Sequence, residues 1–303
     1  MAITLDNTSQ GFVSTSGPLT FNHTIGSGSN RLLVISFAIE TSSAPVTGLS
    51  VTYNGVSCTV VRTDASGTSG YALTTGIAYM DEANLPAAGT YQVSISMTNT
   101  GTDNINGGAV SVFDAGQSGP EANNGQGNAT SGSSVQTSIT TSTNGAWCFD
   151  AVGSGNAITF TVQDAEQTQR WEVTASSSGG AGSTEEVATA GTEDLGWTFD
   201  ATSNRDAHSV AAWPPASVTT YKLEGITKDN SGNPLGSCEC YLLKDNGDDT
   251  YDFIDQQTSN ATTGAYSFTG LTDNDSAYQV VAWKDDTPHV YDCTDHVLTP
   301  VVE

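Results

Sequence analysis

Basic residues are scarce and unevenly placed. Eight lysines and arginines stand against 33 acidic residues, for a formal charge of −25. No lysine precedes Tyr221, and that stretch carries only Arg31, Arg62, Arg170 and Arg205. A surface so poor in cations repels phosphate backbones, which excludes nucleic acid as a partner. The charge reads as a solubility device, with adaptation to salt or divalent cations as the sharper alternative. Long apolar runs are missing: Leu32-Leu33-Val34-Ile35 is strand-sized, so no membrane partner is expected. Helical periodicity never lasts three turns. The start, Met1-Ala2-Ile3-Thr4-Leu5-Asp6, lacks the basic and apolar regions of a signal peptide. Synthesis in a cytoplasm and release by lysis fit that start; so does a mature fragment with an added Met.

Reactive constellations are equally sparse. The five cysteines, Cys58, Cys148, Cys238, Cys240 and Cys293, show no CxxC spacing and make neither a disulfide framework nor a zinc signature. Cys58 and Cys148 sit in apolar strand patterns and read as buried thiols. Cys238 and Cys240 share one face of a strand, so they should not bridge each other, although either could meet Cys293. His23, His208, His289 and His296 lie in no nucleophile motif, and neither a P-loop nor His-Glu-x-x-His is present. The expectation is a protein without catalytic residues, metal or cofactor.

What the chain does contain is turns. Thirty-two glycines separate short alternating runs, among them Leu19–Ile25, Arg31–Glu40, Leu49–Tyr53, Val56–Arg62, Tyr71–Met80, Gly89–Thr98 and Gly108–Asp114. Asn54-Gly55 is the strongest hairpin signal. Gly116–Ser134 has no apolar anchor and reads as a long surface loop. Strands resume at Val135–Thr141, Ala146–Val152, Ile158–Gln163, Arg170–Ala175, Leu195–Asp200 and His208–Ala212. Pro214-Pro215 ends the series, and lysine, aspartate and tyrosine follow. We therefore expect an all-β protein with a jelly-roll-like β-sandwich over residues 1–216 and a smaller immunoglobulin-like or transthyretin-type sandwich over 217–303. Two successive immunoglobulin-like sandwiches, split at the long loop, are the alternative for the first part; no repeated motif favours them.

Two binding features stand out. Of Trp147, Trp171, Trp197, Trp213 and Trp283, most should fill cores; Trp171, after Arg170 and a polar run, is the candidate for an exposed sugar-stacking ring. Asp245-Asn246-Gly247-Asp248-Asp249-Thr250-Tyr251-Asp252 could gather oxygens around calcium, and a hairpin turn explains it equally well.

Resemblances add to this. The order SNRLLVISFAIE, VTYNGVSCTVV, AYMDEANLPAAGTYQVSIS, GGAVSVFD, QTQRWEV and AHSVAAWPP resembles a sandwich domain of surface and virion-associated proteins. YKLEGITKDNSGNPLGSCECYLLKD, TSNATTGAYSFTGL and AYQVVAWKDD resemble the carboxypeptidase-regulatory-like, transthyretin-type module, a non-enzymatic family. The stretch Val281-Ala282-Trp283-Lys284 to Leu298-Thr299-Pro300 is similar to the form carried by tailed-virus structural proteins. The resemblance implies a virion structural protein on the particle exterior, a capsid decoration or head fibre in preference to a tail appendage. Its partners would be the major capsid or other virion proteins, with a homo-oligomer or a host surface glycan also possible. A secreted or cell-surface glycan-binding adhesion module is the alternative.

Overall fold

A computed structural model describes residues 1–303 except 15–16, 43–44, 68–70, 99–100, 175–176, 218–219, 248–249, 272–276, 285–289, 294–299 and 303. The fold is all-β, and two compact units divide it, Met1–Ser217 and Val218–Glu303.

The first unit begins with β1 (Thr4–Val13), β2 (Leu19–Ile25), β3 (Leu32–Thr41), β4 (Ser50–Tyr53), β5 (Val56–Ser57), β6 (Thr59–Ala65), β7 (Ala72–Asp81), β8 (Gly89–Ser96) and β9 (Thr102–Phe113). They behave as one long hairpin ribbon rolled on itself: β1 pairs with β9, β2 with β8, β3 with β7 and β4 with β5, all antiparallel. Rolling gives two sheets, ordered β1-β9-β3-β7-β6 and β2-β8-β4-β5, which is a jelly roll. Asn54 and Gly55, both at positive φ (51° and 75°), make the primed turn that their dipeptide predicts. Leu33, Ile35, Phe37 and Ile39 on β3 face Leu19, Val51, Val93 and Ile95 to form the core between the two sheets.

The chain then does the same again. The strands β10 (Ala122–Asn128), β11 (Gly132–Thr140), β12 (Ala146–Ser154), β13 (Phe160–Val162), β14 (Thr168–Thr174), β15 (Gly179–Val187), β16 (Thr192–Ser203) and β17 (Asp206–Trp213) form sheets ordered β10-β17-β12-β15-β14 and β11-β16-β13. Every pairing here has its counterpart in the first roll: β10 with β17 repeats β1 with β9, β11 with β16 repeats β2 with β8, and β12 with β15 repeats β3 with β7. Even the exposed Thr24–Thr90 hydroxyl contact (2.7 Å) recurs as Thr140–Thr192 (2.9 Å). The jelly roll is therefore present twice. Two sandwiches in succession is the alternative the sequence left open, but both have jelly-roll rather than immunoglobulin-like order.

Two expectations are corrected here. The single jelly-roll-like sandwich expected over residues 1–216 is two sandwiches, because the second set of strands closes its own pair of sheets. Gly116–Ser134 is not a structureless loop: it holds β10, paired along its length with β17. Its polarity comes from its place at a sheet edge. Its glycines come from close packing, since a Cβ on Gly127 would lie 1.9 Å from the Ala65 carbonyl oxygen of β6.

The second unit contains β18 (Tyr221–Ile226), β19 (Glu239–Asp245), β20 (Tyr251–Thr258), β21 (Ala265–Leu271), β22 (Tyr278–Lys284), β23 (Val290–Cys293) and β24 (Val301–Val302), in sheets ordered β21-β18-β24 and β20-β19-β22-β23. Leu223, Cys238, Cys240, Leu242, Phe268 and Val280 fill the core between them. The turn before β19 is held by Asp229, whose carboxylate accepts from the backbone N–H groups of Ser231 and Asn233, both at 2.9 Å. Gly232 takes positive φ (83°) at its tip.

Candidate functional site: the seam between two jelly rolls

A sandwich normally leaves the outer faces of its sheets to water. Here β3, β12 and β17 are buried at every residue, because the β1–β9 sheet of one roll lies face to face on the β10–β17 sheet of the other. β3 meets β12, β1 meets β14 while β6 meets β10, and β7 meets β17 while β9 meets β15. Exchanging the two copies maps these contacts onto one another, as a two-fold axis requires.

The seam has three zones. At one end Leu32, Val34, Ile77, Val110 and Val112 close on Trp147, Phe149 and Trp213, with Trp213 edge-on to both Tyr79 (5.4 Å) and Phe149 (5.5 Å). In the middle the backbones touch: a Cβ on Gly153 or Gly180 would come within 2.8 or 2.9 Å of the Ala38 Cβ. At the far end the seam is polar. Glu40, 2% exposed, receives hydrogen bonds from Arg205 and from Ser177 (3.2 Å). Asn104 donates to Ser177, and Asn106 to Ser178 (3.3 Å). A cleft of about 570 Å³ opens there, lined by Ser14, Glu40, Tyr71, Gly155, Ser177, Asn204 and Arg205, and Arg205 lies 5.3 Å from the Tyr71 ring centre. The carboxylate and guanidinium neutralise each other, so this end acts as a clamp across the two rolls.

Trp171 belongs to this seam, which corrects the expectation of an exposed ring. It is 3% exposed, and its indole N–H donates to Ser36 Oγ at 2.8 Å. Its slot exists because Gly108 and Gly182 have no side chains: a Cβ on either would lie 2.2 Å from the indole. Trp147, Trp197 and Trp213 are buried as well.

Two histidine networks lie inside the sandwiches. Asp150, 1% exposed, accepts from Ser183 N (2.5 Å), Trp197 Nε1 (2.8 Å) and Gln167 Nε2 (3.1 Å), and is 3.0 Å from His208 Nε2. The other His208 nitrogen meets Thr137 Oγ1 at 2.9 Å. His23 lies between Ser9 Oγ (2.8 Å) and Ser111 Oγ (3.0 Å), and Ser111 donates to Asp6 (2.7 Å). Burial pulls the His23 pKa down to about 4, against a smaller upward pull from Asp6. An acid, an imidazole and a hydroxyl do meet in both places, but His208 and His23 are 0% and 1% exposed, out of a substrate's reach. Burial raises the thiol pKa values of Cys58 (to about 12), Cys148 and Cys240 (to about 11), which leaves them protonated. Cys58, Cys148, Cys238 and Cys240 are free thiols; the Cys293 side chain, His289 and His296 lie outside the described residues.

Among the described residues no cluster of three His, Cys, Asp or Glu side chains is placed to hold a metal. In the Asp245–Asp252 stretch, Asp245 Oδ1 accepts from Gly247 N (2.7 Å), and Asn246 and Thr250 bond each other as a hairpin turn does. Residues 248–249 lie outside the described residues. No described helix is long and apolar enough to cross a membrane.

No family model matches the chain, and no curated protein matches it. Among solved structures it aligns with the pilus backbone protein RrgB of Streptococcus pneumoniae at 10% identity and a TM-score of 0.22, over 96% of this chain and 86% of that one. The full-length major pilin RrgB of the same organism aligns at 10% identity and 0.23, over 96% and 64%. At such TM-scores the alignments assign no function.

Proposed function

We propose that this chain is a non-enzymatic structural protein displayed on the exterior of a particle, and that the particle is a virion of a tailed virus, where it serves as a capsid decoration or head fibre. The seam carries the reading. Two jelly rolls are fused in one chain and clamped sheet to sheet, with Glu40 and Arg205 paired across the seam and Trp171 bonded across it to Ser36, which suits a rigid building block. The resemblance of the second unit to modules of tailed-virus structural proteins supports the setting.

A second feature suits assembly. In a chain of charge −25, the strands of the outer sheet β2-β8-β4-β5 contain no Asp, Glu, Lys or Arg. Their solvent side is Thr20, Asn22, Thr24, Thr90, Gln92, Ser94 and Thr52, an uncharged face that neighbouring capsid proteins can approach without like-charge repulsion.

The test is mass spectrometry and immunogold labelling of purified particles from a culture that produces the protein. A fixed copy number per particle, with label on the outside, is expected. Absence from the particles, with the protein recovered on the cell surface or in the medium, favours the adhesion-module reading instead.

A further inference from the structure

We infer that the second unit binds a neutral glycan on the outer face of its larger sheet, through Trp283, Tyr241 and Phe253 around the carboxylate of Glu239.

An outward sheet face is ordinarily polar. The inward positions of β19 and β22 are Cys240, Leu242, Val280 and Ala282, all buried. Yet four of the six outward positions are also apolar or aromatic, Tyr241 and Leu243 on β19 and Val281 and Trp283 on β22, beside Glu239 and Gln279. β20 extends the face, with Phe253 opposite Leu243 and 60% exposed, its ring 6.4 Å from that of Tyr241. Indole, phenol and phenyl rings thus run across three adjacent strands, spaced about 4.8 Å apart. Such a row presents flat π-surfaces on a rigid support.

What selects a sugar over an apolar protein surface is Glu239. Its Oε2 accepts from both Tyr241 Oη (2.7 Å) and Trp283 Nε1 (2.9 Å). These bonds orient the rings, and among the described residues they leave Oε1 available as an acceptor. A carboxylate in the middle of a protein–protein contact would be desolvated at a cost, and charged groups are depleted from such centres. Sugar hydroxyls donate to it while their C–H faces lie on the rings. The neighbouring edge is also unsuited to strand addition: β20 is bulged at Ile254 and carries Asp252 and Asp255. The overall charge disfavours acidic polysaccharides.

The experiment titrates the full chain with three soluble neutral polysaccharides, a β-glucan, a mannan and a galactan, read by calorimetry and by tryptophan fluorescence. Because Trp147, Trp171, Trp197 and Trp213 are buried, a change in emission reports Trp283. Saturable binding to at least one polysaccharide is expected. Phe253→Ala, at an exposed position that folding tolerates, should weaken it at least fivefold, and Tyr241→Phe, which frees one Glu239 bond, should weaken it severalfold. Absence of binding to all three overturns the proposal, as does binding that both variants leave unchanged. Self-association or capture of another protein that Phe253→Ala abolishes, without sugar binding, assigns the face to a protein interface and overturns it too. Particle association is measured separately, so failure here leaves the structural role standing.

Discussion

The indole N–H of Trp171 on β14 reaches across the seam to Ser36 Oγ on β3, 2.8 Å away and 135 residues earlier in the chain. This bond joins the second jelly roll to the first, in a slot that two glycines keep open. Trp171→Ala should lower the unfolding free energy by about 3–5 kcal/mol, as large-to-small changes in a dry core do. Ser36→Ala, which strands the indole N–H, should cost about 1–3 kcal/mol. Gly108→Ala should cost about 1–3 kcal/mol through overpacking. Urea titration followed by tryptophan fluorescence measures all three.

The polar end of the seam gives a second test. Arg205→Ala leaves Glu40 buried without its guanidinium and should cost about 3–5 kcal/mol, whereas replacing both by Met and Leu should restore much of that. A double-mutant cycle in urea separates the pair from its surroundings.

Asp206 predicts a pH dependence. It is 1% exposed, neither carboxylate oxygen has a partner among the described residues, and burial raises its pKa to about 6. The folded chain therefore holds this proton more tightly than the unfolded chain does. The resulting stability is fully present below the unfolded value near 3.8 and is lost as pH rises through 6, a swing of about 3 kcal/mol. His23 works in the opposite sense, because its lowered pKa makes the fold lose stability as pH falls from 6.5 towards 4. The diagnostic is thus the difference between Asp206→Asn and the parent. The variant should have the higher melting temperature at pH 8, and the gap should close by pH 4.

The uncharged outer sheet can be tested without touching a core. Asn22→Asp together with Thr52→Glu should change unfolding free energy by less than about 1 kcal/mol, yet reduce incorporation into particles. Equal incorporation of variant and parent, measured by quantitative mass spectrometry, would remove that face from the assembly surface.

Much of the first jelly roll is legible in the sequence, because β3 is apolar at seven of its ten positions and Asn54-Gly55 marks a hairpin. The duplication is not legible, and the reason lies in β10 and β15. Both are rich in Gly, Ser, Asn or Thr: β10 is an edge strand lying on β6, and Gly180 and Gly182 of β15 must admit Ala38 and Trp171. Composition that close packing demands looks like a loop, and without those strands the repeat disappears. Trp171 misleads for a related reason. A bulge between Gln169 and Trp171 breaks the two-residue alternation, so the polar neighbours of the ring say nothing about its face. Trp283 is the reverse case: it reads as core beside Val281 and Ala282, while its register with Glu239 puts it on the outer face.

The claim on which the rest depends is that residues 1–217 form two jelly rolls joined sheet to sheet. Thr75 of the first and Ser209 of the second are buried with their hydroxyl oxygens 2.9 Å apart, so cysteines at these positions are placed for a disulfide. In the Thr75→Cys/Ser209→Cys variant, mild oxidation followed by peptide mapping should find the two positions linked within one chain in nearly all molecules. Two thiols that stay reduced, or that pair only between chains, would contradict the seam.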